Sequence, residues 1–236
     1  MDTDVSQRNN YNNRTWICSL EIGREQLGNL SANYDFLKRT GLLGPGQAVL
    51  EVGCGTGALC RRLTEDGLSV IGSDVAQAAI EFGRSKYPDL ELHVQDAEEL
   101  PWPEAQFDRV LSFDMLEHLH HPDRHIEQVA RILKPGGYYL LQTPNKWSNM
   151  VFETVRTRSM KWKRYHPSLH SPSQLRRRLG RFGFEVSFMK VNVVNEFTLK
   201  KLSGAPVLQW LFRHIPFEKL PLCLQTNLYV IAHRVN

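Results

Sequence analysis

A short apolar strand that runs directly into alternating glycines is the feature that most limits how this chain can fold. Residues 49–53 (VLEVG) are typical of a buried strand, and Gly53, Gly55 and Gly57 follow at alternate positions before a helical stretch at residues 58–66. Glycine tolerates positive φ and lets the backbone approach a ligand closely. One glycine here would indicate a turn, whereas three after an apolar strand indicate a βαβ unit that binds a ligand.

The rest of the chain alternates strands and helices. Six further strands are predicted, at residues 68–74, 91–96, 107–114, 138–143, 184–191 and 228–235. Helices are predicted at residues 76–86 and 121–133, and Ser171-Pro172 opens another that Gly183 closes. This alternation predicts an α/β fold with a mainly parallel sheet, covered by helices on both faces. In such sheets the ligand binds at the carboxyl ends of the strands.

The length and spacing of these elements predict one domain over residues 1–236. Its 236 residues, 42% of them apolar, suit a single core. Residues 41–145 form the expected cofactor-binding core, and the long connections at 146–170 and 192–227 are expected to be functional insertions on the substrate side. The polar N-terminal residues 1–13 are expected to be frayed.

Several function classes are disfavoured by what the sequence lacks. The four cysteines, Cys18, Cys54, Cys60 and Cys223, form no C-x-x-C pair, so neither a zinc site nor a redox motif is indicated. No signal peptide is visible, and no apolar stretch approaches the roughly 20 residues of a membrane-spanning helix. We therefore expect a cytoplasmic protein with reduced thiols, with peripheral contact to a membrane as the alternative.

The glycine-rich turn alone leaves two cofactor classes open. Gly53, Gly55 and Ala58 also match the dinucleotide pattern G-x-G-x-x-G/A, and Asp74 is placed to bind a ribose diol in either case. Glu51, however, would repel a pyrophosphate next to the turn. The turn therefore favours a cationic cofactor with an amino-acid tail over a dinucleotide.

The motifs downstream decide between the two classes. VLEVGCGTG is followed in order by Gly72-Ser73-Asp74, Gln95-Asp96-Ala97-Glu98, FDRVLSFDMLEHL and RILKPGG. This set, over about residues 48–145, resembles the class I S-adenosylmethionine-dependent methyltransferases of the type 11 group, and has some likeness to ubiquinone-pathway O-methyltransferases. The resemblance implies a Rossmann-like, seven-stranded, mainly parallel sheet whose last strand is antiparallel.

The same resemblance implies S-adenosyl-L-methionine as the cofactor and assigns its site. Gly53, Gly55 and Gly57 would shape the methionine pocket, and Glu51 would lie near the cofactor's amino group. Asp74 would hold the ribose hydroxyls. The remaining residues implied to contact the adenine or line its pocket are Asp96, Ala97 and Phe113.

The segment after the fourth strand is expected beside the methyl group. Asp114, Glu117 and His118 resemble, in spacing, a divalent-cation site of ubiquinone-pathway O-methyltransferases, although Asp114 stands where a glutamate is common. Such a set would bind Mg²⁺ through oxygen ligands and an imidazole. We favour no metal here, and expect these residues to order the loop instead.

An acceptor that loses a proton needs a base, and three histidines are candidates. His118 lies in the segment just described, and His166 and His170 lie in the first insertion. An ordinary histidine titrates near pH 6.5, so it suits this role at neutral pH. The predicted reaction is O-methylation of a small-molecule hydroxyl by in-line displacement.

The last third carries the signals for the acceptor. Nine basic residues and no acidic one lie between Val155 and Gly183, which predicts an anionic acceptor or anionic surface held by residues such as Arg164 and Arg178. An aromatic pocket is predicted from Trp147, Phe152, Trp162, Tyr165, Trp210 and Phe212. The alternatives are methylation of RNA, of a lipid-like acceptor at an anionic membrane surface, and non-catalytic binding. The sequence does not fix the oligomeric state.

Overall fold

Seven strands form one sheet in the computed structural model, which describes residues 3–26, 28–157, 166–195, 198–199 and 206–235. The strands are β1 (Ala48–Val52), β2 (Ser69–Asp74), β3 (Glu91–Val94), β4 (Phe107–Phe113), β5 (Leu133–Pro144), β6 (Phe184–Met189) and β7 (Asn227–Arg234). Their order is β3-β2-β1-β4-β5-β7-β6, and β7 pairs antiparallel with both β5 and β6. The pairs among β1 to β5 are parallel. The predicted fold class, with its antiparallel last strand, is confirmed.

Helices cover both faces of this sheet. They are α1 (Thr3–Glu21), α2 (Leu30–Thr40), α3 (Ala58–Glu65), α4 (Gln77–Lys86), α5 (Pro122–Ile132), α6 (Lys146–Thr157), α7 (Pro172–Gly180) and α8 (Pro206–His214). Short 3₁₀ turns lie at Leu116–His118, Phe217–Lys219 and Leu222–Leu224. Sequence signals explain some boundaries, since Ser171 and Gln174 form a capping box at the start of α7.

Strand periodicity divides the buried side chains between two cores. Leu50, Val110 and Leu141 pack in one apolar cluster, on the face that includes buried α5 residues such as Ile126. The residues one position away, including Val49 and Leu140, pack in the other cluster. Because successive side chains of a strand point to opposite faces, both faces of the central strands are apolar. This explains why the sequences of the central strands are continuous runs of apolar residues.

The N-terminus differs from the prediction. Residues expected to be frayed belong to α1, in which Trp16 is buried and packs with Ala76 and Ala79. The Asn13 side-chain oxygen accepts a hydrogen bond from the backbone N–H of Ala78 at 2.9 Å. The prediction was wrong because it rested on polarity alone, whereas an apolar anchor and a polar contact to α4 hold this helix in place.

Each of the two long connections contains a helix. The first carries α6 and continues to His170, and residues 158–165 within it lie outside the described ranges. The second carries α8 and two of the 3₁₀ turns. None of the helices in the described part of the chain is long and apolar enough to cross a membrane.

Candidate active site

The glycine-rich turn lies at the carboxyl end of β1, beside the end of β2. The backbone N–H groups of Gly53 and Cys54 both donate to the carbonyl of Ser73, at 2.7 and 2.9 Å. Gly53, Gly55 and Gly57 all adopt positive φ, at 81°, 56° and 79°. The sequence of the turn therefore meets a backbone requirement, because side chains rarely tolerate this region.

Two of these glycines also lack room for a side chain. A Cβ on Gly55 would lie 2.5 Å from Trp16 Cζ2, on α1. A Cβ on Gly53 would lie 2.8 Å from Met115 Cγ, after β4. The turn is thus enclosed between two segments that are far apart in sequence, and glycine is what permits both approaches.

Asp74, the last residue of β2, accepts hydrogen bonds from the glycine-rich turn and from the backbone just after β2. One of its carboxylate oxygens accepts from the Gly55 N–H at 2.9 Å, and the other accepts from the Ala76 N–H at 2.8 Å. Burial raises the pKa of this carboxyl, and the two backbone hydrogen bonds oppose that rise. A carboxylate oxygen has two acceptor sites, so each retains capacity for a hydroxyl donor.

Glu51 lies on β1 just before the turn and is almost fully buried. Its Oε2 accepts from the Cys60 thiol at 2.9 Å. Burial, opposed by the Cys60 hydrogen bond and reinforced by the nearby Asp74, raises the pKa of Glu51 from 4.5 to about 8. In the absence of a cation, this carboxyl is therefore mostly protonated at neutral pH.

The loop after β3 brings Asp96 and Ala97 to the other side of the turn. The Ala97 carbonyl accepts from His125 Nδ1 at 2.8 Å, and His125 Nε2 lies 2.9 Å from the Tyr139 hydroxyl. Burial lowers the pKa of His125 to about 4. A neutral ring that donates at Nδ1 and accepts at Nε2 satisfies both contacts, so His125 positions this loop.

A single cavity of about 1070 Å³ connects these features. Most residues of the predicted cofactor site line it, namely Glu51, Gly53, Gly55, Asp74, Asp96, Ala97 and Phe113. Gly57 is not among the lining residues and instead begins α3, where an added Cβ would lie 3.1 Å from Leu92. The cavity volume suits a ligand of cofactor size with a second small molecule.

The same cavity extends to the histidines after β4 and α6. His118 and His166 both line it, and their ring centroids are 4.9 Å apart in an edge-to-face arrangement. His166 Nδ1 also lies 3.4 Å from the side-chain nitrogen of Asn149. The structure therefore brings together two of the three predicted base candidates.

His170 occupies a different place. It lines a second cavity of about 230 Å³ and is absent from the lining of the large one. Burial and, to a smaller extent, the nearby Arg178 lower its pKa to about 4. His170 is thus neutral at physiological pH and lines only the small cavity, although its backbone carbonyl accepts from the Lys146 N–H at 3.0 Å, between Pro144 and Trp147 of the large cavity.

The residues of the metal alternative form no ligand set. Glu117 is buried, and its Oε2 accepts from the Thr143 hydroxyl at 3.0 Å. Its other oxygen lies 3.9 Å from His118 Nε2. Burial and the charge of Asp114 raise the pKa of Glu117. In the described ranges, no group of three or more His, Cys, Asp or Glu side chains is placed to hold a metal ion.

The structure describes only some of the residues predicted to form the anionic contact and the aromatic pocket. Arg178 lines the small cavity and is not among the lining residues of the large one, so its contact with an anionic acceptor or surface stays a prediction. Trp147 lines the large cavity and is 54% exposed, while Trp210 is exposed on α8. The other residues of these two predictions lie outside the described residues or side chains: Phe152, Trp162, Arg164, Tyr165 and Phe212.

Sequence reasoning missed two contributors to the cavity. Trp16 and its α1 neighbours Tyr11, Asn12 and Thr15 line it, and only the apolar pair Trp16 and Leu20, one helical turn apart, hints at this helix. Asn145, which is fully buried after β5, donates to the carbonyls of Cys223 and Gln225 at 3.1 and 2.9 Å. It thereby fixes a segment of the second insertion, and no local motif marks it.

Comparison with known proteins identifies the family. A family model described as a methyltransferase domain matches residues 24–187, so the chain belongs to this family. A relative from Mycolicibacterium smegmatis, named as an S-adenosylmethionine-dependent methyltransferase, is 36% identical over 101 residues. A ubiquinone biosynthesis O-methyltransferase from Alkalilimnicola ehrlichii is 35% identical over 106 residues. Each match covers 43% of this chain and 39% or 43% of the relative, so the chain spans about two fifths of these curated relatives.

Solved structures support the fold. A methyltransferase of Haloferax volcanii, solved in complex with a methyltransferase activator, has a TM-score of 0.69 at 18% identity, covering 94% of this chain and 98% of that one. An S-adenosylmethionine-dependent methyltransferase from Mesorhizobium loti has a TM-score of 0.63 at 19% identity, covering 87% and 100%. At this identity the likeness concerns the architecture alone.

Proposed function

We propose that this chain transfers a methyl group from S-adenosyl-L-methionine to a hydroxyl of a small-molecule acceptor. The observation that carries the proposal is the large cavity, which joins the glycine-rich turn and Asp74 to His118 and His166. The family membership and the ubiquinone O-methyltransferase relatives support the reaction class and the oxygen acceptor.

The residues around the turn fit this cofactor. The carboxylate of Asp74, fixed by two backbone N–H groups, would accept from the ribose hydroxyls. Glu51 would face the amino group of the methionine tail, whose positive charge would favour its ionised form. Asp96 and Ala97 would contact the adenine, with Phe113 lining the same region.

His118 or His166 would remove the acceptor's proton. When bound, the cofactor supplies a methyl group on a sulfonium, and its S–C bond breaks as the C–O bond to the acceptor forms. Holding the two reactants in line accounts for much of the expected acceleration, since effective molarities reach roughly 10⁵ to 10⁸ M. A positioned base adds about 10² to 10⁴-fold. The edge-to-face contact of the two rings holds both at one wall of the cavity.

Mg²⁺ does not fit the described arrangement as a participant. One Glu117 oxygen accepts from Thr143 inside the protein, and Asp114, Glu117 and His118, although neighbours, are not placed to hold a metal ion together. We therefore assign Glu117 to ordering the turn that carries His118. Turnover is expected to be unchanged after exhaustive EDTA treatment, and a loss restored by Mg²⁺ would return the metal to the mechanism.

An acceptor with an apolar part is favoured by the rim of the cavity. Trp147, Val151 and Leu224 all line it, and they are 54%, 66% and 58% exposed. Exposed apolar side chains grouped at an opening are typical of binding sites. A lipid-like acceptor is thus the second candidate.

The experiment is a turnover screen with methyl-labelled cofactor. The panel should pair phenols and alcohols with the matching amines, each with and without an alkyl chain. The proposal expects label on oxygen, and faster transfer for the members that carry the chain. Transfer to amines alone would contradict O-methylation, and no transfer to any member would leave cofactor binding as the surviving part of the proposal.

A further inference from the structure

The second cavity has a composition unlike that of the first. One wall is the loop of residues 167–170, and the other is a face of α7 and its C-terminal extension. That face carries Gln174, Arg177, Arg178 and Arg181, at i, i+3, i+4 and i+7. These spacings place four polar side chains on one side of a helix, facing the loop.

The positive charge of this face is only partly balanced. Asp123 Oδ1 lies 3.3 Å from Arg178 Nε, and its Oδ2 lies 2.6 Å from a terminal nitrogen of Arg181. Arg177 forms no ion pair with any residue that the structure describes. Like charges one helical turn apart destabilise a helix, so a surplus on one face implies either full solvation or a bound anion.

The geometry favours a bound anion over solvation alone. Three arginines line one concavity of about 230 Å³, and no carboxylate is among its lining residues. Each guanidinium presents five N–H donors in a planar fork that matches phosphate oxygens, and Asp123 engages only one nitrogen of each of its two partners. The volume accommodates several waters, and therefore a tetrahedral oxyanion.

We propose that this second cavity binds the phosphate group of a soluble ligand through Arg177 and Arg178, with Arg181 beside them. The site is separate from the large cavity, although one segment borders both. His166 lines the large cavity, whereas Ser168 lines the small one and donates its backbone N–H to the Glu117 carbonyl at 3.1 Å. Phosphate in the second cavity would therefore steady the segment that carries His166.

Calorimetric titration of the full chain with inorganic phosphate, at constant ionic strength set by chloride, tests the proposal. The expected result is saturable binding that Arg177→Gln weakens at least about tenfold, because a hydrogen-bonded charge is lost. Arg176→Gln is the matched control, because it removes the same charge from the neighbouring position. The Arg176 side chain packs over the Phe188 ring and does not line the second cavity. Phosphate binding no stronger than that of chloride, or equal weakening by both substitutions, would overturn the proposal.

Hydrogen exchange locates the site, and vesicles distinguish the source of the phosphate. Added phosphate should slow exchange in peptides covering residues 166–181, and Arg177→Gln should abolish that protection. Vesicles of phosphatidylcholine, with or without phosphatidic acid, should not compete with inorganic phosphate. Protection elsewhere, or binding only to the phosphatidic acid vesicles, would contradict a site for a soluble phosphate. None of these measurements depends on methyl transfer.

Discussion

The two ends of the large cavity are built in different ways. At the cofactor end, the backbone determines the shape: Gly53 and Gly55 take positive φ, and the Asp74 carboxylate accepts from the N–H groups of Gly55 and Ala76. At the acceptor end, side chains from separate segments meet, with His118 following β4 and His166 following α6. The turn at the cofactor end is therefore specified by local sequence, although Trp16 and Met115 enclose it, whereas the acceptor end depends on the packing of distant segments.

The two ends of the cavity therefore depend on different parts of the chain. The cofactor end depends on a run of residues from 49 to 76, in which the glycines and Asp74 satisfy one another. The acceptor end depends on connections that tolerate changes in length and sequence. A substitution at one end should therefore leave the other end unchanged.

The largest expected effect is the loss of cofactor binding in Gly55→Ala. The new Cβ would lie 2.5 Å from the Trp16 ring, in a backbone conformation that alanine disfavours. Gly136→Ala is the control, because Gly136 has φ of 76° but nothing within 4 Å of its added Cβ. Calorimetry with S-adenosylhomocysteine should show no measurable binding to the first variant and ordinary binding to the second. Recovery in Gly55→Ala combined with Trp16→Ala would assign the effect to the contact, and full binding by Gly55→Ala alone would contradict it.

Substitution of the histidine that acts as the base should lower turnover at the acceptor end without changing cofactor binding. Glutamine at His118 or at His166, whichever removes the acceptor's proton, should lower kcat by about 10² to 10⁴-fold and leave cofactor affinity unchanged. His170→Gln is the matched control, because His170 lines the second cavity and should change kcat little. If neither His118→Gln nor His166→Gln lowers kcat, the base assignment fails.

Asp74→Asn should weaken the cofactor end by a smaller amount. The substitution keeps the size of the side chain, replaces one of its two acceptor oxygens with a nitrogen, and removes the charge that would accept the ribose hydroxyls. A hydrogen bond to a charged group contributes about 1.5 to 3 kcal/mol, so affinity should fall roughly ten- to hundredfold. Asp89→Asn, at an exposed residue paired with Arg61, provides the comparison and should bind normally. Unchanged affinity in Asp74→Asn would remove Asp74 from the cofactor site.

The raised pKa of Glu51 leads us to expect that a proton is released when the cofactor binds. Its pKa of about 8 in the empty protein leaves it mostly protonated at pH 7, and a cofactor ammonium nearby should lower that pKa. Calorimetry in buffers of different ionisation enthalpy should show a release of up to about one proton, which Glu51→Gln should abolish. An identical proton count in both proteins would place the ammonium elsewhere.

The Glu51 carboxyl should also make the free energy of unfolding depend on pH. Because its folded pKa is raised from 4.5 to about 8, its stabilising contribution is fully present below pH 4.5 and is lost as pH rises to about 8. His125 acts oppositely, losing its contribution as pH falls from 6.5 toward 4. Between pH 6.5 and 8, urea unfolding should therefore show a stability decline in the wild type that is weaker in Glu51→Gln.

The cofactor end could be predicted because its determinants are adjacent in sequence. The glycines, Asp74 and the strand periodicity all leave local signals, and the sheet with its antiparallel last strand follows the resemblance. Helix α1 could not be predicted, because its position depends on Trp16 packing against α4 instead of on its own polar sequence. Asn145 was missed for the same reason, since its partners lie about 80 residues away.

The central claim is that the turn after β1 holds S-adenosylmethionine and not a dinucleotide. Calorimetric titration of the wild-type chain with S-adenosylhomocysteine and, separately, with NAD tests it most directly, with Asp74→Asn as the site-specific comparison. The account predicts saturable binding of S-adenosylhomocysteine at one site per chain, weakened in Asp74→Asn, and no measurable binding of NAD. Binding of NAD as tight as or tighter than that of S-adenosylhomocysteine would contradict it.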